Sequence, residues 1–83
     1  MTDRATLVAA VADALVQFRT QAGRDLDEVA HCAAIEPERL SSAEDGEIAL
    51  EPAELDRLAE VYGIDVSAFF GGRTTPLAYL AGA

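Results

Sequence analysis

The sequence predicts an all-α domain. Alanine is the commonest residue, aromatic side chains make up only 6 % of the chain, and apolar residues recur at helical spacing between Gly and Pro stops. A sheet would need more of the β-branched and aromatic side chains that pack a pleated surface. At 83 residues there is room for one domain, and a chain this short buries a smaller share of its surface than a longer one, so the core has to be efficient.

Asp3 can cap a first helix over about 4–22, in which Leu7, Val8, Val11, Leu15 and Phe18 share a face and Gly23 supplies the stop. Asp25 followed by Glu28 has the form of a capping box for a second helix over about 26–33, with Leu26, Val29, Ala30 and Ala33 inward. After a break at Ala34 and Ile35, Pro37 suits the first turn of a third helix that points Leu40 and Ala43 inward and ends at Gly46. Glu47 to Glu51 form a loop, and Pro52 opens a fourth helix over about 52–62, with Leu55, Leu58, Ala59 and Tyr62 on one face and Gly63 as its stop. Ile64 folds back, and Asp65 can cap a short fifth helix anchored by Val66, Phe69 and Phe70 before Gly71 and Gly72. The domain thus runs over residues 1–72. The tail, 73–83, has a Thr75-Pro76 start signal and the apolar residues Leu77, Tyr79 and Leu80, enough for one more helical turn.

The chain has no Lys, six Arg and fifteen acidic residues, for a net charge of −9. Nucleic acid attracts proteins through clustered cations, so bulk charge opposes DNA binding unless one face is basic. No apolar run is long enough for a membrane span and the first residues lack a signal peptide's basic start, so a cytoplasmic protein is expected. The single cysteine, Cys32, excludes an internal disulfide and a zinc cage. Cys32 reads as a small, partly buried side chain or an incidental surface thiol, and His31 as a solvated helix residue. With no second Cys or His to complete a metal or catalytic set, and with Asp56 and Glu60 read as a solvated face, no enzyme activity, cofactor or small-molecule ligand is expected.

Arg19 and Gly23, Ala30, Leu40, the Glu44-Asp45-Gly46 triplet, Leu58-Ala59, Gly63-Ile64 and Phe69-Phe70 fall at a joint spacing that resembles the Cro/C1-type (XRE) helix-turn-helix family, the lambda-repressor-like fold. The match runs without a gap from about Phe18 to Phe70. The resemblance implies five helices, commonly a homodimer, and a role as a transcription factor, phage repressor or antitoxin. It also implies a partly buried ion pair between Arg19 and Glu44 that ties helix one to the end of helix three.

The departures fall where family members meet DNA. Leu26 stands where a polar residue, often Gln, contacts the backbone, and leucine has no donor to offer. The reading surface of helix three is Glu36, Pro37, Glu38, Arg39, Ser41 and Ser42 in place of Gln, Ser, Arg or Lys. A base contact from Glu38 to a cytosine amino group is conceivable, but base contacts specify only after phosphate contacts have positioned the protein. The loop before helix four, Glu47-Ile48-Ala49-Leu50-Glu51, is acidic and apolar where Lys, Arg or Asn would face phosphate. From Asp25 to Glu51 nine acids face Arg39 alone, a local charge of −8. Ala34 replaces a frequent turn Gly; either it is held left-handed at a cost of about 1 kcal/mol, or the angle between helices two and three shifts.

Ile48, Leu50, Leu77, Tyr79 and Leu80 exceed what five small helices need for a core, and mark a possible protein interface. The other reading is that the tail folds back over the chain's own core. The expected function is that of a helix-turn-helix regulator working through protein contacts, with a basic partner or a second copy, its acidic face replacing the DNA-reading surface. The alternative is a sequence-specific DNA-binding regulator of the repressor or antitoxin kind.

Overall fold

The computed structural model describes residues 4–72 and 79. They form four α-helices, α1 (Arg4–Ala22), α2 (Leu26–Cys32), α3 (Pro37–Glu44) and α4 (Pro52–Tyr62), followed by a 3₁₀ helix at Val66–Phe70, and no strand occurs among them. The fifth helix of the sequence reading is therefore a 3₁₀ helix: five residues between the Asp65 cap and a left-handed Gly71 give no length for α-helical bonds to propagate. Its cap forms as the sequence suggests, with the Asp65 carboxylate accepting the Ser67 N–H at 2.9 Å. That bond holds the Asp65 carboxyl below the usual carboxylate range. Asp3, Thr75-Pro76, Leu77 and Leu80 lie outside the described residues.

Proline and glycine set the other boundaries. Pro37 and Pro52 occupy the first turns of α3 and α4, where a missing N–H leaves no intrahelical bond unmade. At the end of α4, Gly63 has φ 68°, and the chain closes with Ile64 N–H on Ala59 O at 2.9 Å. The end of α2 uses the same closure: Ala34 has φ 56°, and Ile35 N–H reaches Ala30 O at 2.9 Å. Of the two possibilities for this turn, the left-handed one is realised, which turns Ile35 back into the core at 5 % exposure. One signal was misleading: Asp25 makes no side-chain cap on α2, and Glu28 bonds Arg24 instead at 3.1 Å.

The core lies where the four α-helices and the 3₁₀ helix meet, with Leu15, Val29, Leu40, Leu55, Leu58 and Phe69 its largest fully buried side chains. Each buried Leu or Phe contributes on the order of 1.5–3 kcal/mol. Phe18 packs edge-on to Phe69, ring centres 5.7 Å apart, and stacks on Tyr62 at 6.3 Å, joining α1, the 3₁₀ helix and α4. Tyr79 also joins this core, edge-on to Phe70 at 5.3 Å, with its hydroxyl donating to Leu50 O at 2.9 Å.

Tyr79 and Leu50, read from the sequence as possible interface, are each 2 % exposed and belong to the chain's own core. Two apolar groups brought together this way leave water without a second chain. Ile48 is half-buried and packs against the same cluster.

Ala34 is the one non-glycine residue with positive φ among those described. Ala34→Gly should raise the free energy of unfolding by roughly 0.5–1 kcal/mol, since relief of about 1–2 kcal/mol of left-handed strain exceeds the added entropy of the unfolded chain. A urea titration should show a higher midpoint at unchanged slope.

Candidate interaction surface

The α2–α3 pair has helix-turn-helix form: two short helices packed on each other and joined by a tight turn at 33–36. Seven- and eight-residue helices do not persist alone, so other elements must hold them. Arg19, on the last turn of α1, donates through Nε to Glu44 Oε2 at 2.8 Å and through Nη2 to Glu44 Oε1 at 2.9 Å, and through Nη1 to Arg24 O at 3.3 Å. One guanidinium thus bonds the end of α3 and the approach to α2. The Glu44 side chain is only 6 % exposed, and its hydrogen bonds with Arg19 push the arginine further above its ordinary value.

Beside this pair the Tyr62 hydroxyl is buried with no hydrogen-bond partner among the described residues, and its burial, with Glu44 nearby, pushes it up to about 12.

Arg39, the lone cation of the presumed reading surface, does not stand free. Its Nε and Nη2 donate to the two oxygens of Glu54 at 2.7 and 2.8 Å, and Glu54 Oε1 also accepts the Glu51 N–H at 2.8 Å. The Glu54 side chain is 10 % exposed, and its bonds to Arg39 and then to the Glu51 N–H hold its carboxyl below the usual carboxylate range, while Arg39 is raised.

Arg57 donates to Ala33 O at 2.6 Å, satisfying a carbonyl at the end of α2, and Arg24 reaches Glu28 and, at 3.7 Å, Cys32 Sγ. Every arginine whose side chain is described is therefore bonded within the chain.

What remains on the outer surface is acidic. Glu36, Pro37, Glu38 and Ser41 are exposed, Arg39 and Ser42 half-buried, and Asp27, Glu28, Asp45, Glu47 and Glu51 exposed around them. Leu26 is half-buried against the core, and His31 and Cys32 both face solvent on α2. The structure thus brings Arg19 and Glu44 together and leaves Glu36, Pro37, Glu38 and Ser41 exposed with Arg39 and Ser42 partly covered, but buries Leu50 and Tyr79 in the core. Glu54 was not legible as Arg39's partner: they are fifteen residues apart on different helices, and the only local signal was the glutamate spacing of Glu51 and Glu54 about Pro52.

No family model matches the sequence, and neither does any curated protein. Among solved structures the chain is similar to the crystal structure of the clp gene regulator ClgR from Corynebacterium glutamicum, with a TM-score of 0.76 and 27 % identity over 80 % of this chain and 70 % of that one. The all-helical helix-turn-helix architecture is shared with that regulator. No described helix is long and apolar enough to cross a membrane.

Two outcomes follow from the ion pairs. Arg19→Ala should cost about 2–3 kcal/mol, below the roughly 3–5 kcal/mol for breaking a fully buried pair because Arg19 is 24 % exposed; thermal unfolding reads this directly, and an unchanged melting temperature would remove the pair's structural role. For Glu54, a carboxyl held below its ordinary 4.5 contributes stability that is present above that value and lost as pH falls through its lower folded value. The stability gap between the natural protein and Glu54→Gln should therefore be widest near about pH 6–7 and narrow as pH drops below about 4.5.

Proposed function

We propose that this chain is a regulatory protein of the Cro/C1 helix-turn-helix type that acts through protein–protein contacts and carries out no enzymatic step. The reading rests above all on the pairing of Arg39 with Glu54. Arg39 is the one described arginine on the α3 surface that would face DNA and Glu54 holds it, while Glu36, Glu38, Glu47 and Glu51 are exposed on or beside it. Operator binding commonly draws on some six to ten phosphate contacts, each of which adds to the salt dependence. Glu54 already neutralises Arg39, so the N–H groups that the pair leaves unused offer a phosphate little net attraction, and turning Arg39 wholly to DNA would strand a carboxylate that is 10 % exposed. A surface of this charge suits a basic protein partner, and its negative field would speed and orient that encounter. Self-association as a homodimer is the other protein contact in this reading.

The likeness to a gene regulator favours one alternative, a DNA-binding regulator with unusual contacts. Fluorescence anisotropy with promoter and random duplexes at about 50 and 200 mM salt separates the two. The expected result is no saturable binding at about 100 µM protein, weaker than ordinary non-specific association. Glu36→Arg combined with Glu38→Arg should create weak binding whose logarithm falls with log salt at a slope of about −2. Submicromolar, salt-sensitive binding of the natural protein to its promoter would overturn the proposal.

A further inference from the structure

A hollow of about 280 Å³ lies between α2 and the α2–α3 turn, lined by Asp27, Ala30, His31, Ala34, Ile35 and Pro37, with Glu36 completing its rim. It is smaller than the cavities that hold most drug-sized ligands, and suits a single long side chain. Its construction is two-part: Ala30 and Ile35 are buried beneath it, Ala34 and Pro37 add exposed apolar wall, and the Asp27 and Glu36 carboxylates stand exposed at its edge. Neither carboxylate has an ion pair or a side-chain hydrogen bond within the described residues, unlike Glu28, Glu44 and Glu54, each of which is held by an arginine. A lysine or arginine laid in such a hollow covers apolar surface with its stem while its head meets the carboxylates.

Ala34 bears on the same point. It holds a left-handed backbone that glycine would adopt without strain, and its methyl forms part of the wall. The substitution that relieves the backbone also removes a methyl from the lining.

We propose that the hollow between α2 and the α2–α3 turn seats one long cationic side chain from a basic, partly apolar segment of a partner protein. The occupant follows from charge complementarity: the carboxylates lining the hollow, Asp27 and Glu36, are exposed and have no ion pair, whereas Arg39, the one arginine of the stretch Asp25–Glu51, is held by Glu54. Arginine fits better than lysine, because its planar guanidinium can bond two carboxylates at once. The proposal rests on the protein-contact reading above and specifies where on the acidic surface the partner's main contact falls.

The test uses the full chain, labelled with ¹⁵N, and a blocked helical peptide of Ala, Leu and Gln carrying one arginine, compared with the same peptide carrying citrulline, which keeps the shape and removes the charge. The arginine peptide should shift the amides of Ala30, His31, Ala34 and Ile35 and bind about tenfold tighter than the citrulline peptide, the order expected for a charge-assisted pair. Asp27→Asn with Glu36→Gln should weaken it about tenfold, while Asp56→Asn with Glu60→Gln, which removes the same charge from the solvated face of α4, should change it about twofold or less. Ala34→Gly should weaken binding while raising stability, a combination that a folding defect cannot produce. No binding of the arginine peptide at millimolar concentration, or equal losses from the two double variants, overturns the hollow as the seat. Equal losses would leave the acidic surface as a protein-binding face; salt-sensitive binding of promoter duplex without peptide binding would overturn both readings.

Discussion

The ion pair between Arg19 and Glu44 is the contact on which the placement of the helix-turn-helix depends, because α2 and α3 are too short to persist without the helix behind them. It joins the last turn of α1 to the last turn of α3 with two parallel hydrogen bonds, a geometry that fixes direction as well as distance. Arg39 on Glu54 does the same between α3 and the start of α4, and Arg57 on the Ala33 carbonyl ties α4 to the end of α2. Each short helix is thus clamped to a longer one, over a core whose largest buried members are a few Leu and Val side chains and one Phe.

This use of arginine accounts for a feature of the composition. The chain has no lysine, and the arginines whose side chains are described all serve as internal ties. A guanidinium offers a rigid fork that matches a carboxylate, whereas an ammonium on a flexible stem is a point charge. Once the arginines are occupied in this way, the acids around them are left to set the surface. The negative character of the α2–α3 face therefore follows from how the fold is held as much as from the number of its carboxylates.

Tyr79 and the loop before α4 complete one another. Leu50 and Tyr79 are both buried, and the Tyr79 hydroxyl donates to the Leu50 carbonyl, so that neither polar group is left without a partner. Residues that look surplus to a five-helix core, Leu50 and Tyr79, are in this way used by it, and the surface left exposed around α2 and α3 is acidic.

The amino-acid sequence alone determined the helical class and most of the helix ends, because proline at a first turn and glycine at a left-handed stop act through their own backbones and need no distant partner. It also placed Arg19 and Glu44 as a pair, through the spacing of a known fold. It did not reveal that Arg39 is already matched by Glu54 or that Tyr79 turns back onto Leu50. Nor did it settle the Ala34 backbone, where the packing of Ile35 outweighs a strain of about 1–2 kcal/mol. Each of these depends on which groups meet across different elements, and that was decided only when the helices packed.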